Sequence, residues 1–248
     1  MLQSLGWAAL GTGFTFLMTA LGAAMVFFFA GEPRPHFQKT LLGFAAGVMT
    51  AASVWSLLLP AIERTRELGV AAWVPPSAGL VLGAAGLLRL ESMAGQLLQR
   101  GKSRMVLAVT LHNLPEGMVV GLAAALALSG EPDAVSGALA LSLGIGLQNI
   151  PEGAAVSLPL AHSGRTRLQA FGAGAASGLV EPLGALAAFA LAGWVQAALP
   201  WLMSAAAGCM VCVTAQEMIP EAVEQDEPAG VVSIVLGFAL MMALDVAL

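Results

Sequence analysis

The sequence predicts an all-α membrane protein, eight transmembrane helices folded as a single domain over residues 1–248. Three observations predict it. Hydrophobic residues make up 58% of the chain and charged residues 10%, against about 25% charged in an average soluble domain, and the mean hydropathy is +0.85. Apolar segments of the roughly 20 residues needed to cross a hydrocarbon core about 30 Å thick recur along the chain. They run approximately over 5–30, 40–60, 71–90, 105–129, 134–160, 168–193, 200–219 and 229–248. The loops between them are too short for a soluble domain, and the 29 glycines read as small residues that let helix backbones approach closely. The first segment, long and without a basic leader, reads as a retained span rather than a cleaved signal peptide.

Lys and Arg favour the cytoplasmic side of short loops. The loops after spans 1, 3, 5 and 7, with their flanks, hold Arg34, Lys39, Arg89, Arg100, Lys102, Arg104, Arg165 and Arg167, whereas those after spans 2, 4 and 6 hold only Arg64 and Arg66. Both termini are therefore expected to be extracytoplasmic. The net charge of −5 is no sign of a basic or acidic partner surface, because Glu221, Glu224, Asp226 and Glu227 sit together in the last loop as a solvated turn. Nothing points to nucleic acid.

Within this apolar chain two stretches are out of place. "LHNLPEG" at 111–117 and "LQNIPEG" at 147–153 set His112, Asn113, Pro115, Glu116 and Gly117 against Gln148, Asn149, Pro151, Glu152 and Gly153 in the following span. A third carboxylate, Glu181, stands in "SGLVEPLGAL" of the next span. An ionised side chain at mid-membrane costs about 2.5–3.5 kcal/mol on insertion scales, and such residues face a bundle interior and mark ion pathways. No Lys or Arg lies at the same depth. Either the glutamates are protonated, or a bound cation neutralises them. Imidazole, carboxylate and amide donors suit a divalent transition metal.

Spacing places the donors. His112 and Glu116 are four residues apart and share a helix face, as do Gln148 and Glu152; opposed, they form a chelate of up to four side chains. Asn113 and Asn149 point about 100° away and are placed for a second site that shares the glutamates. Pro115 and Pro151 cannot donate to the carbonyls of Leu111 and Leu147, which predicts a kink in each helix. Broken polar helices at mid-membrane recur at transporter substrate sites.

At these residues the sequence resembles the ZIP (Zrt/Irt-like) family of divalent metal transporters, in particular its compact bacterial branch. "GFAAGVMTAAS" at 43–53, "EPLG" at 181–184 and "EMIPEA" at 217–222 extend the resemblance over essentially the whole chain. The resemblance implies a first metal site of His112, Glu116, Gln148 and Glu152 with Met49 as a soft ligand. It implies a second site of Asn113, Asn149 and Glu181 with the shared Glu116 and Glu152. Asn149 stands where relatives with two metals can carry Asp, so this second site has one charge fewer. Also implied are a 3+2+3 arrangement with inverted halves, a mobile unit of spans 1, 4, 5 and 6 moving elevator-fashion against a dimer-forming scaffold of spans 2, 3, 7 and 8, a homodimer, and residence in a bacterial inner membrane. Inverted halves account for the likeness of 46–63 (AGVMTAASVWSLLLPAIE) to 207–224 (AGCMVCVTAQEMIPEAVE), which slips by one residue at the proline. The transported substrate is a divalent ion, with zinc first and iron, manganese, cobalt and cadmium also compatible with the donors. No cofactor is expected.

Other features have plainer readings. Cys209 and Cys212 form C-x-x-C within a membrane span, where two small apolar residues are expected rather than a redox or zinc motif. Gln216 and Glu217 near the cytoplasmic end of span 7 are candidates for an exit path. Glu63 and Glu67 alternate with Arg64 and Arg66 as a mixed solvated face, and the loop "LQRGKSR" lacks histidines. Two rival classes fit less well. A metal-dependent intramembrane hydrolase would carry H-E-x-x-H or several deep histidines; a cation channel builds rings from repeated subunits or filter loops.

Overall fold

A computed structural model describes residues 2–28, 35–69, 71–97, 101–127, 134–194, 196–224 and 228–247; within its helices the side chains of 2–5, 7, 8, 35, 38, 94–97, 101–109, 111, 112, 134, 191–194 and 196 are outside the description. Every regular element among the described residues is helical. α1 (Leu2–Ala24) runs into a 3₁₀ turn, Met25–Phe27. α2 (Pro35–Ala52) widens into a π-helical turn, Ser53–Leu58, before α3 (Leu59–Glu67). Then come α4 (Val74–Leu97), α5 (Gly101–Leu126), α6 (Ala134–His162), α7 (Arg167–Gly178) and α8 (Val180–Trp194). α9 (Leu199–Val213) widens into a second π turn, Thr214–Met218, ahead of α10 (Ile219–Val223), and α11 (Pro228–Ala247) closes the chain.

Among the described residues five stretches are long and apolar enough to cross a membrane: Ala9–Phe27, Lys39–Glu67, Arg167–Ala190, Leu199–Val223 and Pro228–Ala247. They match the first, second, sixth, seventh and eighth expected spans. The other three correspond to α4, α5 and α6, of 24, 26 and 29 residues. Arg89 and Glu91 lie in the first of these and the second polar cluster in α6, while the fully described stretch Asn113–Leu126 of α5 is apolar but shorter. Helical structure continues without a break through Pro115, Pro151 and Pro159. The sixth expected span is divided at Leu179. Pro182 has no N–H to offer the carbonyl of Gly178, and the Leu179 N–H turns back to Ala176 O at 3.1 Å.

The helices pair most extensively as α1 with α6, α5 with α8, α2 with α11 and α4 with α9. Each pairing is a glycine crossing in which a Cβ would strike the partner's main chain. Gly22 lies against the carbonyl of Ile150 and Gly153 against that of Thr19; Gly184 lies against that of Leu114 and Gly117 against that of Glu181. Likewise Gly47 meets the Ile234 carbonyl and Gly237 that of Phe44, while Gly208 meets that of Leu80 and Gly83 that of Ala205. The two sets keep one spacing: Phe44 and Gly47 correspond to Ala205 and Gly208, and Leu80 and Gly83 to Ile234 and Gly237. These backbone crossings fall within two groups, α1/α5/α6/α8 and α2/α4/α9/α11.

Between the groups, side chains meet. α2 packs along α6 and α9 along α5, through one apolar cluster that includes Met49, Val119, Leu122, Ile145 and Met210. Two contacts tie helix ends together: Lys39 Nζ donates to Glu224 O at 2.8 Å and Arg167 Nη1 to Phe27 O at 3.3 Å. Of the basic residues that set the expected orientation, Arg34, Arg100, Lys102 and Arg104 are outside the described side chains, as are Asp226 and Glu227 of the acidic turn. Glu224 of that turn is exposed, with its carboxylate 3.9 Å from Lys39 Nζ.

Candidate metal centre

The crossings bring the polar residues together. Gly117 and Gly153 each follow a glutamate, so seating α5 on α8 and α6 on α1 draws Glu116 and Glu152 inward beside Glu181 and Thr19. Asn113, Glu116, Gln148, Asn149 and Glu181 are each 0% exposed and Glu152 only 9%. Glu181 falls in the first turn of α8, where unpaired helix N–H groups favour a carboxylate. The three glutamates lie close enough to one another to interact electrostatically.

Amides and hydroxyls occupy one oxygen of two of these carboxylates. Gln148 Nε2 donates to Glu116 Oε1 at 2.9 Å. Asn149 Nδ2 donates to Glu181 Oε1 at 3.1 Å and to Thr15 O at 3.3 Å, and Thr19 Oγ1 donates to the same Glu181 oxygen at 2.9 Å. What remains unpaired is almost all of one kind. Glu116 Oε2, Glu152 Oε2, Glu181 Oε2, Gln148 Oε1, Asn149 Oδ1 and both polar atoms of Asn113 are buried without a hydrogen-bond partner. Six of those seven atoms are oxygens offering lone pairs. An unsatisfied buried polar group costs roughly 1–3 kcal/mol, more when charged, and among the described residues no Lys or Arg pairs with the three glutamates. A cation is the partner that satisfies such a set.

The expected residues divide into three groups. Asn113, Glu116, Gln148, Asn149, Glu152 and Glu181 converge. His112 lies on α5, but its side chain is outside the described residues. Among the described residues, which leave out the His112 side chain, no three His, Cys, Asp or Glu side chains are arranged to hold an ion by themselves. Met49 is buried in the adjoining apolar cluster, its Sδ receiving the Thr214 hydroxyl at 3.9 Å, and shares no hydrogen bond with the carboxylates. Gln216 and Glu217 are exposed on the second π turn; Gln216 hydrogen-bonds Glu91 and accepts from Cys212 Sγ at 3.9 Å. Cys209 and Cys212 are free thiols, and Cys209 Sγ donates to Gly83 O at 3.3 Å.

Sequence reasoning missed Thr15 and Thr19. A hydroxyl in an apolar helix usually bonds its own backbone, and Thr15 does so. A signal was nevertheless present: Thr19 precedes Gly22 by the same interval as Glu181 precedes Gly184.

A family model described as ZIP Zinc transporter matches residues 102–245, more than half of the chain. The chain belongs to the ZIP family. It is 37% identical to "Zinc transporter ZIPB" of Bordetella bronchiseptica over 98% of this chain and 82% of that protein. With human "Zinc transporter ZIP11" it shares 33% identity over 97% of each, and with "Zinc transporter GufA" of Myxococcus xanthus 33% over 93% of this chain and 94% of the relative. The ZIP model begins at the start of α5 and therefore includes all the converging residues.

Proposed function

We propose that this protein carries zinc ions across a membrane, with the glutamate cluster as the transport site. The observation that carries this reading is the group of six buried, unpaired oxygens between α5, α6 and α8, with no cationic side chain among the described residues paired to them. The zinc named in its ZIP relatives agrees with the donor types. The primary site is His112, Glu116, Gln148 and Glu152, joined by Met49; the flanking site is Asn113, Asn149 and Glu181 with the shared glutamates. Iron, manganese, cobalt and cadmium fit the same donors. Gln216 and Glu217 lie on the exit route. Removing protons from the ligands is a condition of binding, so acid competes with the metal.

The chain spans the bilayer eight times with both termini extracytoplasmic, in a 3+2+3 order with inverted halves, helices kinked at Pro115 and Pro151, and works as a homodimer in a bacterial inner membrane. The matched glycine crossings support the inverted order. An elevator movement of α1, α5, α6, α7 and α8 against the rest is supported by where those crossings lie: they fall within each group, and an apolar side-chain cluster lies between the groups.

The test is uptake of zinc, with manganese and ferrous iron in parallel, into vesicles containing the purified protein. Saturable uptake by the wild type, lost in Glu152→Ala and His112→Ala, supports the site. Flux that does not saturate would indicate a channel, and a folded, inserted protein that moves no ion would end the carrier reading.

A further inference from the structure

Two methionines occupy matched places on the two halves. Met49 ends the sequence AGVM and Met210 ends AGCM, at corresponding positions of the two similar segments, and each is 1% exposed. Four residues after each stands a hydroxyl that donates to its carbonyl at 2.8 Å, Ser53 to Met49 O and Thr214 to Met210 O. Each of those hydroxyl residues begins a π turn. Two residues before each methionine is a crossing glycine, Gly47 or Gly208. Both side chains lie in the cluster shared with Val119 and Leu122 of α5 and Ile145 of α6.

We propose that Met210 is a second thioether ligand for the transported ion, meeting it when the site-bearing helices face the side of the membrane opposite to that at which Met49 meets it. This rests on the transport reading above. In a carrier built from inverted halves, the two halves exchange roles as access alternates. α2 packs along α6 and α9 along α5, so exchanging the halves replaces Met49 by Met210 against the same polar pair of helices. The surroundings of the two sulfurs differ. The Thr214 hydroxyl reaches Met49 Sδ at 3.9 Å, whereas among the described residues the Ser53 hydroxyl makes no matching reach to Met210 sulfur. A thioether favours soft and borderline ions over those that prefer oxygen. With one on each half, a soft ion is offered sulfur at either end of its path.

The experiment uses full-length protein in vesicles of defined sidedness, with Met49→Leu and Met210→Leu, substitutions that conserve volume while removing sulfur. Initial rates are read for cadmium and for manganese applied at each face. Met49→Leu is expected to weaken apparent cadmium affinity several-fold at one face, and Met210→Leu at the other, each by a larger factor than it weakens manganese. Wild-type cadmium transport that Met210→Leu leaves unaltered at both faces overturns the inference. So does an equal loss for cadmium and manganese, which marks a packing defect. Met210→Ile serves as the second variant if the leucine protein does not insert. If the wild type moves neither ion, the transport reading itself falls.

Discussion

The four glycine crossings use one device for two ends. In α2/α11 and α4/α9 one crossing glycine follows an alanine, Ala46–Gly47 and Ala207–Gly208; in α1/α6 and α5/α8 one follows a glutamate, Glu152–Gly153 and Glu116–Gly117. The first pair yields a buried apolar seam, the second a nest of unpaired oxygens. A close approach fixes where a side chain goes, and the residue beside the glycine decides whether that place is structural or chemical.

This contrast can be broken most severely on its structural side. Gly47→Val drives a branched side chain into the Ile234 carbonyl. Overpacking costs about 1–3 kcal/mol even where side chains yield, and a main-chain carbonyl yields less. Loss of most folded protein is expected, read as size-exclusion recovery in detergent. Glu152→Gln should do the converse, keeping the fold while cutting zinc uptake at least about 10–100-fold, the range known for outer-shell partners of metals. Its melting temperature in metal-free detergent should not fall, since an unpaired buried charge is itself destabilising. A drop in melting equal to that of Gly47→Val would erase the distinction.

Finer changes sharpen it. Thr19→Val removes the donor to Glu181 Oε1, a bond to a charged group worth about 1.5–3 kcal/mol. Uptake should fall by about tenfold, and Thr19→Ser should restore it. Zinc affinity should decrease as pH falls, by about tenfold per unit for each proton displaced, as checked by calorimetric titration at several pH values; flat affinity would mean that no protonatable ligand binds. The smallest effect is expected far from both seams. Thr166 caps α7 through a reciprocal pair with Gln169 at 3.2 Å, so Thr166→Ala should cost about 1 kcal/mol and leave transport per folded molecule unchanged.

The polar cluster was legible in the sequence because lipid makes polarity costly: a glutamate followed by glycine in an apolar run has few reasons to exist. Six of the expected donors accordingly converge. The crossings were less legible. Nothing about Gly47 by itself distinguishes it from Gly13, which has open space where a Cβ would be; only the partner carbonyl does, and that partner, Ile234, belongs to α11 at the far end of the chain. The roles of Thr15 and Thr19 were hidden for the same reason, and the division at Leu179 because Pro182 was read as part of a motif rather than as a missing donor.

The one-residue slip between 46–63 and 207–224 has a structural counterpart. The π turns begin at corresponding positions, Ser53 and Thr214, but one holds six residues and the other five, so that Pro60 stands one position further from the start of its turn than Pro220 does. An ordinary α-helix cannot lose a residue without rotating everything beyond it by about 100°. A turn that is already wide absorbs the change. Residues 53–58 are thus a place where the chain can vary in length by insertion or deletion, with the methionine before it and the proline after it still facing their own neighbours.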